Sequence, residues 1–577
     1  SLQNKRLPQL LRSCSGFSTA LCRPAGDKPI AGRPSKKSQK IHPFLVPAQA
    51  KPSPSVVTSP LFPTLSSIGM IVQTPSFSIL ATERLAGIRR GIEKEGLRVL
   101  PNGALALTPH PQALGSALTH PLITTDYSES QLELITGAHL SVQDCLDELQ
   151  AIHQYVYRSM AAEGEEMMWA ASMPCTLPTD ETIPLGRYGN SHIGRSKSIY
   201  RMGLGHRYGR RMQTISGIHY NWSLPGVSSA EYLGLIRNFR RQAFLLLYLF
   251  GASPTLCPCF VEGRQHHLQP LGTEGKALYL PHATSLRMGR LGYQSEAQSS
   301  INASFNDLDE YANSLQEALT RPYPAYEQLG VRNPGGDYNQ LATTLLQIEN
   351  ELYSPIRAKR TVRRGERPLH ALRERGVEYV EVRLMDINPF EPIGISASTM
   401  RMLDIFLLHC LLTDSPLDTP EEIEALKENQ LRTAERGREP GLRILRGKKE
   451  VLLTEWAHEI LTACHPIAQA LDATYGSDDY SQALLAAHDV VQFPHLTPSA
   501  RVLDGTRAYN NNFQSFGLAQ THASKKYLLG LPRNAALEKT FAQLSRASIQ
   551  AQREIEKADT GSFEEWRLRY MDVANLL

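Results

Sequence analysis

The sequence predicts an α+β fold. Strand-like and helix-like segments alternate from about Leu80 onward, but without the regular strand–helix–strand rhythm or the spaced-glycine fingerprint of a doubly wound sheet. No solenoid or propeller period recurs. With 577 residues and a 41% hydrophobic composition, the chain is long enough to bury one large core.

Residues 1–82 hold eleven of the 37 prolines and ten Lys or Arg against a single acid, Asp27, so they cannot bury enough apolar surface to offset the entropy of ordering. They read as a disordered extension, either a basic, Ser-containing organelle transit peptide or upstream sequence that ends before Met70 and is not part of the mature protein. Residues 83–577 read as one large domain with a helical C-terminal part from about residue 396. A helix is expected over roughly 142–160, where Val142, Cys145, Leu146, Leu149, Ile152 and Val156 form an apolar stripe behind a Ser141 cap. Others are expected near 230–250, 305–319, 399–412 and 455–471, with more helix in the last forty residues. Strands are expected over 91–99, within 122–135, over 213–222 and over 377–384.

Removing the extension leaves 51 basic against 56 acidic residues, which does not support a strongly basic nucleic-acid-binding fold. The most apolar run, Phe244 to Phe250, is far short of the roughly 20 residues that a membrane-spanning helix needs, so no membrane association is expected. Eight scattered cysteines point to a reducing compartment, the cytoplasm, or an organelle if the extension is a transit peptide.

The strands carry the chemistry. Glu93 and Glu95 are two residues apart and share a strand face. Gln131 and Glu133 alternate against Leu132 and Leu134, with Asp126 at the preceding bend. Gln213, Ile215, Gly217, His219 and Asn221 share a third face, and Tyr379, Glu381 and Arg383 oppose Val380 and Val382. Each is an ordinary amphipathic strand taken alone, but a set of acids with one His needs a counter-charge, and oxygen-rich sites suit hard divalent cations. Mg²⁺ with ATP follows as the expectation, Mn²⁺ being an acceptable substitute.

The segments GIEKEGLRV, SMPC, YGNSHIGRSKSIYRMGL, RYGRRMQTISGIHYNWSLP, LPHATSLRMGRLGY, LLQIENELYSPIR and VEYVEVRLMDINPF run collinearly and resemble the proteobacterial-type glutamate–cysteine ligases. The resemblance implies a glutamine-synthetase-like catalytic domain whose curved antiparallel sheet forms an active-site funnel. It implies ATP-dependent joining of the L-glutamate γ-carboxylate to L-cysteine through a γ-glutamyl phosphate, by a monomer, as the first step of glutathione synthesis. A related ligase with another amine acceptor is the alternative. By matching motif, Glu93, Glu95, Asp126, Glu133, His219 and Glu381 are implied metal ligands, Arg383 and Arg201 donors to the transferred phosphoryl group, and Arg287 a glutamate contact. Tyr200, Leu204, Ile215, Tyr293 and Tyr353 are implied walls of the cysteine pocket.

Other signals receive plain readings. Cys257-Pro-Cys259 reads as a thiol pair in a loop, since no second pair or suitable His spacing follows. His266-His267 reads as solvated, and Met202 to Gly209 lacks phosphate-cradling glycine geometry.

Overall fold

The computed structural model describes residues 80–292, 296–301, 303–363 and 365–577. The expected extension over 1–82 lies outside the described residues except for its last three.

Seven strands build the main sheet: β1 (Arg89–Val99), β2 (Ile123–Thr125), β3 (Gln131–Ile135), β4 (Met167–Met168), β5 (Gly217–Ser223), β6 (Ile356–Lys359) and β7 (Tyr379–Asp386). Their order is β2-β3-β1-β5-β7-β6, with β4 paired to the end of β1, and every pairing is antiparallel. This bears out a mixed architecture of helices on an antiparallel sheet.

One face of the sheet is apolar. Ile92, Ile218, Tyr220, Trp222, Val380 and Val382 are buried, and helices cover the sheet. Helix α1 (Val142–Glu163) starts where the Ser141 hydroxyl accepts the N–H groups of Gln143 and Asp144. Helices α2 (His192–Tyr208) and α3 (Arg210–Gln213) precede β5. Helix α4 (Ser229–Phe250) opens on a Ser228/Glu231 capping box and is buried over most of its surface because it runs between the sheet and helix α5 (Ala397–Leu412). Among the described residues no helix is long and apolar enough to cross a membrane.

Two sequence expectations need correction. The helix expected over 455–471 is two helices, Leu453–Ala463 and His465–Tyr475. Pro466 has no N–H to donate, and its ring would meet the Thr462 carbonyl, so the chain restarts with Pro466 in the first turn of the second helix. The strand expected over 213–222 begins only at Gly217. The Asp180 carboxylate accepts the N–H groups of Arg210 (2.7 Å) and Arg211 (3.1 Å), which draws 210–213 into a helical turn and takes Gln213 and Ile215 off the strand face.

On the apolar face, Arg90 and Asp404 are both fully buried, with Arg90 Nε donating to the carboxylate at 2.8 Å. Tyr220 and Tyr480 donate to the same carboxylate at 2.8 and 3.2 Å, so β1, β5, α5 and the C-terminal helices meet at one polar knot. Removing one member strands a buried charge. Asp404→Ala is expected to destabilise the protein by roughly 3–5 kcal/mol in denaturant unfolding; a loss below about 1 kcal/mol would show that the knot does not hold sheet to helix.

Candidate active site

The opposite face of the sheet is polar, and strand register decides what meets there. Residues directly opposed in an antiparallel pair share a face. Glu93 opposes His219, Glu95 opposes Glu133, and Glu381 opposes Asn221 on one side and Arg357 on the other. Four acids and one imidazole are thereby locked onto β3, β1, β5 and β7.

The contacts are specific. Glu93 lies 3.1 Å from His219 Nδ1 and accepts the Asn221 amide at 2.9 Å. Glu95 accepts the Gly217 N–H at 2.6 Å and lies 3.6 Å from His219 Nε2. Glu381 takes Arg383 at 3.0 Å and Lys359 at 3.3 Å, and Arg383 Nη1 lies 3.5 Å from His219. Asp126 sits at the bend between β2 and β3. Its carbonyl accepts from Arg201 Nε, whose guanidinium also donates to the Lys197 carbonyl at 3.0 Å and stacks 4.5 Å over the Tyr188 ring.

Arg287 stands on a short turn and is 1% exposed. It donates to the Arg383 carbonyl at 2.8 Å and lies 3.7 Å from Asp386. A Cβ on residue 217 would lie 2.1 Å from Arg287 Nη2, so only glycine lets the guanidinium cross the start of β5. A cavity of about 200 Å³ is bordered by Arg287, Arg383, Tyr353, Gln298, Arg240 and Lys427.

The structure thus brings Glu93, Glu95, Glu133, His219, Glu381 and Arg383 together, with Asp126 and Arg201 adjoining. Tyr353 accepts from Gln213 at 3.1 Å and packs 5.6 Å from the Tyr208 ring. Tyr200 and Leu204 lie one turn apart on α2. Leu204 and Ile215 belong to the apolar core, Ile215 being fully buried. Tyr293 lies outside the described residues. Sequence reasoning missed Asn221 as a Glu93 donor and the whole of β6, which contributes Lys359 and Arg357. The alternation Ile356-Arg-Ala-Lys359 held that signal.

Titration divides the face. Burial raises Glu381, but Lys359, Arg383 and His219 outweigh it and hold its carboxyl well below the usual range. Glu93 is raised by burial and lowered further by its His219 hydrogen bond, ending low. His219 is itself lowered, by burial and by Arg383. On the other side, burial and the Asp126 charge push Glu95 up to about 8. Glu133 rises well above the carboxylate range through burial and repulsion from Glu93 and Asp126. Protein cations therefore satisfy one half, while the other carries an excess of acid groups that keep protons for want of a comparable cation.

That excess is the fit test for a hard cation. Glu93, Glu133 and His219 each place a ligand atom within 4.8 Å of the others, and the surrounding donors are carboxylate oxygens, a set that suits Mg²⁺ or Mn²⁺.

Comparison with known proteins is direct. A family model described as glutamate–cysteine ligase matches residues 78–433. The glutamate–cysteine ligase of Alcanivorax borkumensis is 46% identical over 512 residues, covering 85% of this chain and 97% of the relative. That of a Janthinobacterium species is 48% identical over 494 residues, covering 82% and 92%. Among solved structures, a glutamate–cysteine ligase from Francisella tularensis in complex with AMP superposes with a TM-score of 0.79 at 35% identity, covering 84% of this chain and 97% of the other. A bifunctional glutathione synthetase from Pasteurella multocida gives 0.62 at 25% identity, covering 81% and 57%.

The raised carboxyls make a signed prediction. With Glu95 at about 8, its carboxyl holds a proton at pH 7 when no metal is bound, and ligation must expel it. Apparent Mg²⁺ affinity is expected to rise with pH through about 8 and level off above. Titration calorimetry in buffers of differing ionisation heat reads the released proton; binding without net proton release would contradict the assignment.

Proposed function

The chain belongs to the glutamate–cysteine ligase family, and from that premise we propose that its acid-lined sheet face joins the γ-carboxylate of L-glutamate to the amine of L-cysteine, converting ATP to ADP and giving γ-glutamylcysteine, the first step of glutathione biosynthesis. The observation that carries this reading is the meeting, on one sheet face, of a metal-competent acid cluster with Arg383, 3.0 Å from Glu381, beside a cavity that Arg287 borders. The AMP in the Francisella tularensis relative supports adenine-nucleotide use.

A carboxylate is a poor electrophile, so the glutamate γ-carboxylate first takes the terminal phosphoryl group of ATP to become a γ-glutamyl phosphate. Two anions must approach for this. Arg383 and Arg201 point N–H donors and fixed positive charge at the region where charge develops. Glu93, Glu95, Asp126, Glu133, His219 and Glu381 would hold Mg²⁺, which would supply further neutralisation of the nucleotide phosphates. Arg287 receives the glutamate substrate, its guanidinium pre-set by the Arg383 carbonyl and Asp386. In this reading cysteine enters against Tyr200, Leu204, Ile215 and Tyr353, with Tyr293 assigned by the resemblance alone, walls that suit a small polarizable thiol, and its amine attacks the acyl carbon, losing a proton and expelling inorganic phosphate.

We read the sheet as the wall of a glutamine-synthetase-like funnel; the register shift between Val382 and Met385 in the β5–β7 pairing supports a bend there. We place the ligase in residues 83–577 and leave 1–82 outside catalysis, consistent with a family match that starts at residue 78. A reducing compartment such as the cytoplasm fits the six described cysteines, all free thiols, and we read the protein as a monomer.

The deciding assay follows ADP and dipeptide together with glutamate, cysteine, ATP and Mg²⁺, repeated without cysteine and with 2-aminobutyrate in its place. Cysteine-dependent dipeptide formation is expected. ADP without dipeptide, or strong preference for another amine, would move the reading to a ligase with a different acceptor. Gly217→Ala tests the Arg287 placement: the glutamate KM is expected to rise at least about tenfold, equivalent to roughly 1.4 kcal/mol, with the cysteine KM and circular dichroism unchanged. Equal effects on both substrates would remove Arg287 from the glutamate site.

A further inference from the structure

Beside Arg201 the fold sets a second cation. Lys197 lies one turn earlier on α2, so both side chains leave the helix on the same side. The Tyr188 ring carries the two together, with the Arg201 guanidinium 4.5 Å and the Lys197 ammonium 5.3 Å from its centroid.

That ring is held in place. Tyr188 is 1% exposed. Its hydroxyl lies 2.8 Å from the Thr125 carbonyl and 3.0 Å from the Asp126 carbonyl, and it accepts from Thr125 Oγ1 at 3.0 Å. The Asp126 carbonyl is also the acceptor of Arg201 Nε. A Cβ on residue 186 would lie 2.8 Å from the Tyr188 hydroxyl oxygen and 3.2 Å from Arg201 Cδ, so the glycine there leaves the room that both need. The Ser198 hydroxyl donates to the Gly186 carbonyl at 3.0 Å and ties α2 to the same loop. One aromatic platform therefore fixes the bend that carries Asp126 and the direction of both cations.

The two charges lack a local counterion. Arg383 and Lys359 share Glu381, and Arg287 lies 3.7 Å from Asp386. Arg201 donates instead to two backbone carbonyls, and among the described residues no carboxylate lies within ion-pair distance of it or of the Lys197 ammonium. Lys197 is half-buried, and a ring face attracts its charge without accepting its three N–H donors. Two like charges one helical turn apart draw an anion. An ammonium is a compact point charge, which suits the clustered oxygens of a phosphate chain, whereas planar two-pronged recognition falls to arginine.

Location selects the anion. The cavity bordered by Arg287 and Arg383 has, among the described residues, neither Lys197 nor Arg201 on its wall. Arg201 meets Asp126 at the bend that leads into β3, the strand of Glu133, on the side of the face assigned to the metal and its nucleotide.

We propose that Lys197 is a further ligand of the nucleotide phosphates, and that Tyr188 is the positioning residue that aims it and Arg201 at them. The proposal deepens the ligase reading and rests on it. Lys197 neutralises the phosphates that stay with the nucleotide, while Arg201 and Arg383 face the transferred group.

Titration calorimetry of ADP with Mg²⁺ on the full-length protein reads the site without turnover. Lys197→Gln is expected to weaken ADP binding at least about tenfold, equivalent to roughly 1.4 kcal/mol, and Lys197→Arg, which keeps the charge, to recover most of that loss. A smaller loss in Lys197→Gln overturns the proposal. So does a raised cysteine KM with ADP affinity unchanged, which would place the ammonium at the acceptor amino acid. Tyr188→Leu removes the platform and is expected to weaken ADP binding by itself, but less in the Lys197→Gln background, because one contact cannot be lost twice. Fully additive losses would overturn the positioning role. Should Tyr188→Leu not fold, Lys197→Gln against Lys197→Arg decides alone. Full ADP affinity in Lys197→Gln leaves the ligation assay untouched, whereas an unaltered protein that binds no ADP and makes no dipeptide brings down the ligase reading itself.

Discussion

Like charges facing one another across neighbouring strands are the constraint on which this molecule turns. Two unit charges about 4 Å apart interact with roughly 4 kcal/mol at the effective dielectric of a protein site, so Glu93, Glu95, Glu133 and Glu381 cannot share a sheet face as bare carboxylates. The fold answers with asymmetry. Toward β6 and β7, Lys359 and Arg383 bracket Glu381, while His219 and Asn221 hold Glu93. Toward β3, Glu95 and Glu133 have no comparable cation and keep protons instead. A face built this way is neutral enough to fold and still leaves acids on one side without a protein cation, which is where the proposed divalent cation is assigned.

Such crowding survives only on a stiff support. The sheet's other face is clamped by α4 and α5, and Asp404 on α5 takes Arg90 from β1 and Tyr220 from β5, tying two strands to one helix. A buried ion pair of this kind adds little net stability over apolar packing, but it penalises misregistered alternatives in which one charge is left alone. For a site whose ligand set is defined by which residue opposes which, register matters more than total stability. A one-residue slip of β5 would turn His219 into the core and Ile218 toward the acids.

The chain displayed part of this openly. Spacing alone put Glu93 and Glu95, then Glu381 and Arg383, on common faces, because strand period needs no knowledge of partners. The substrate pair was legible only through the resemblance of whole segments, since no spacing rule distinguishes cysteine from another amine. Lys359 and Arg357 escaped because four residues with no turn signal are too short to announce a strand. The turn at 210–213 escaped because its cap, Asp180, lies thirty residues upstream.

Gly217 shows how closely the separate roles are joined. Its N–H holds Glu95 at 2.6 Å, and the space its missing side chain leaves is occupied by the Arg287 guanidinium. That guanidinium in turn donates to the carbonyl of Arg383, whose own side chain reaches Glu381 and His219. A metal-side carboxylate, the arginine assigned to the glutamate donor and the arginine assigned to the phosphoryl group are therefore positioned through one residue and its immediate contacts. Substrate carboxylate, nucleotide phosphate and cation must converge within a few ångströms for phosphoryl transfer to proceed in line. A brace that moves all three anchors together preserves their relative geometry even when the surrounding loops adjust, which independent anchors on separate loops would not do.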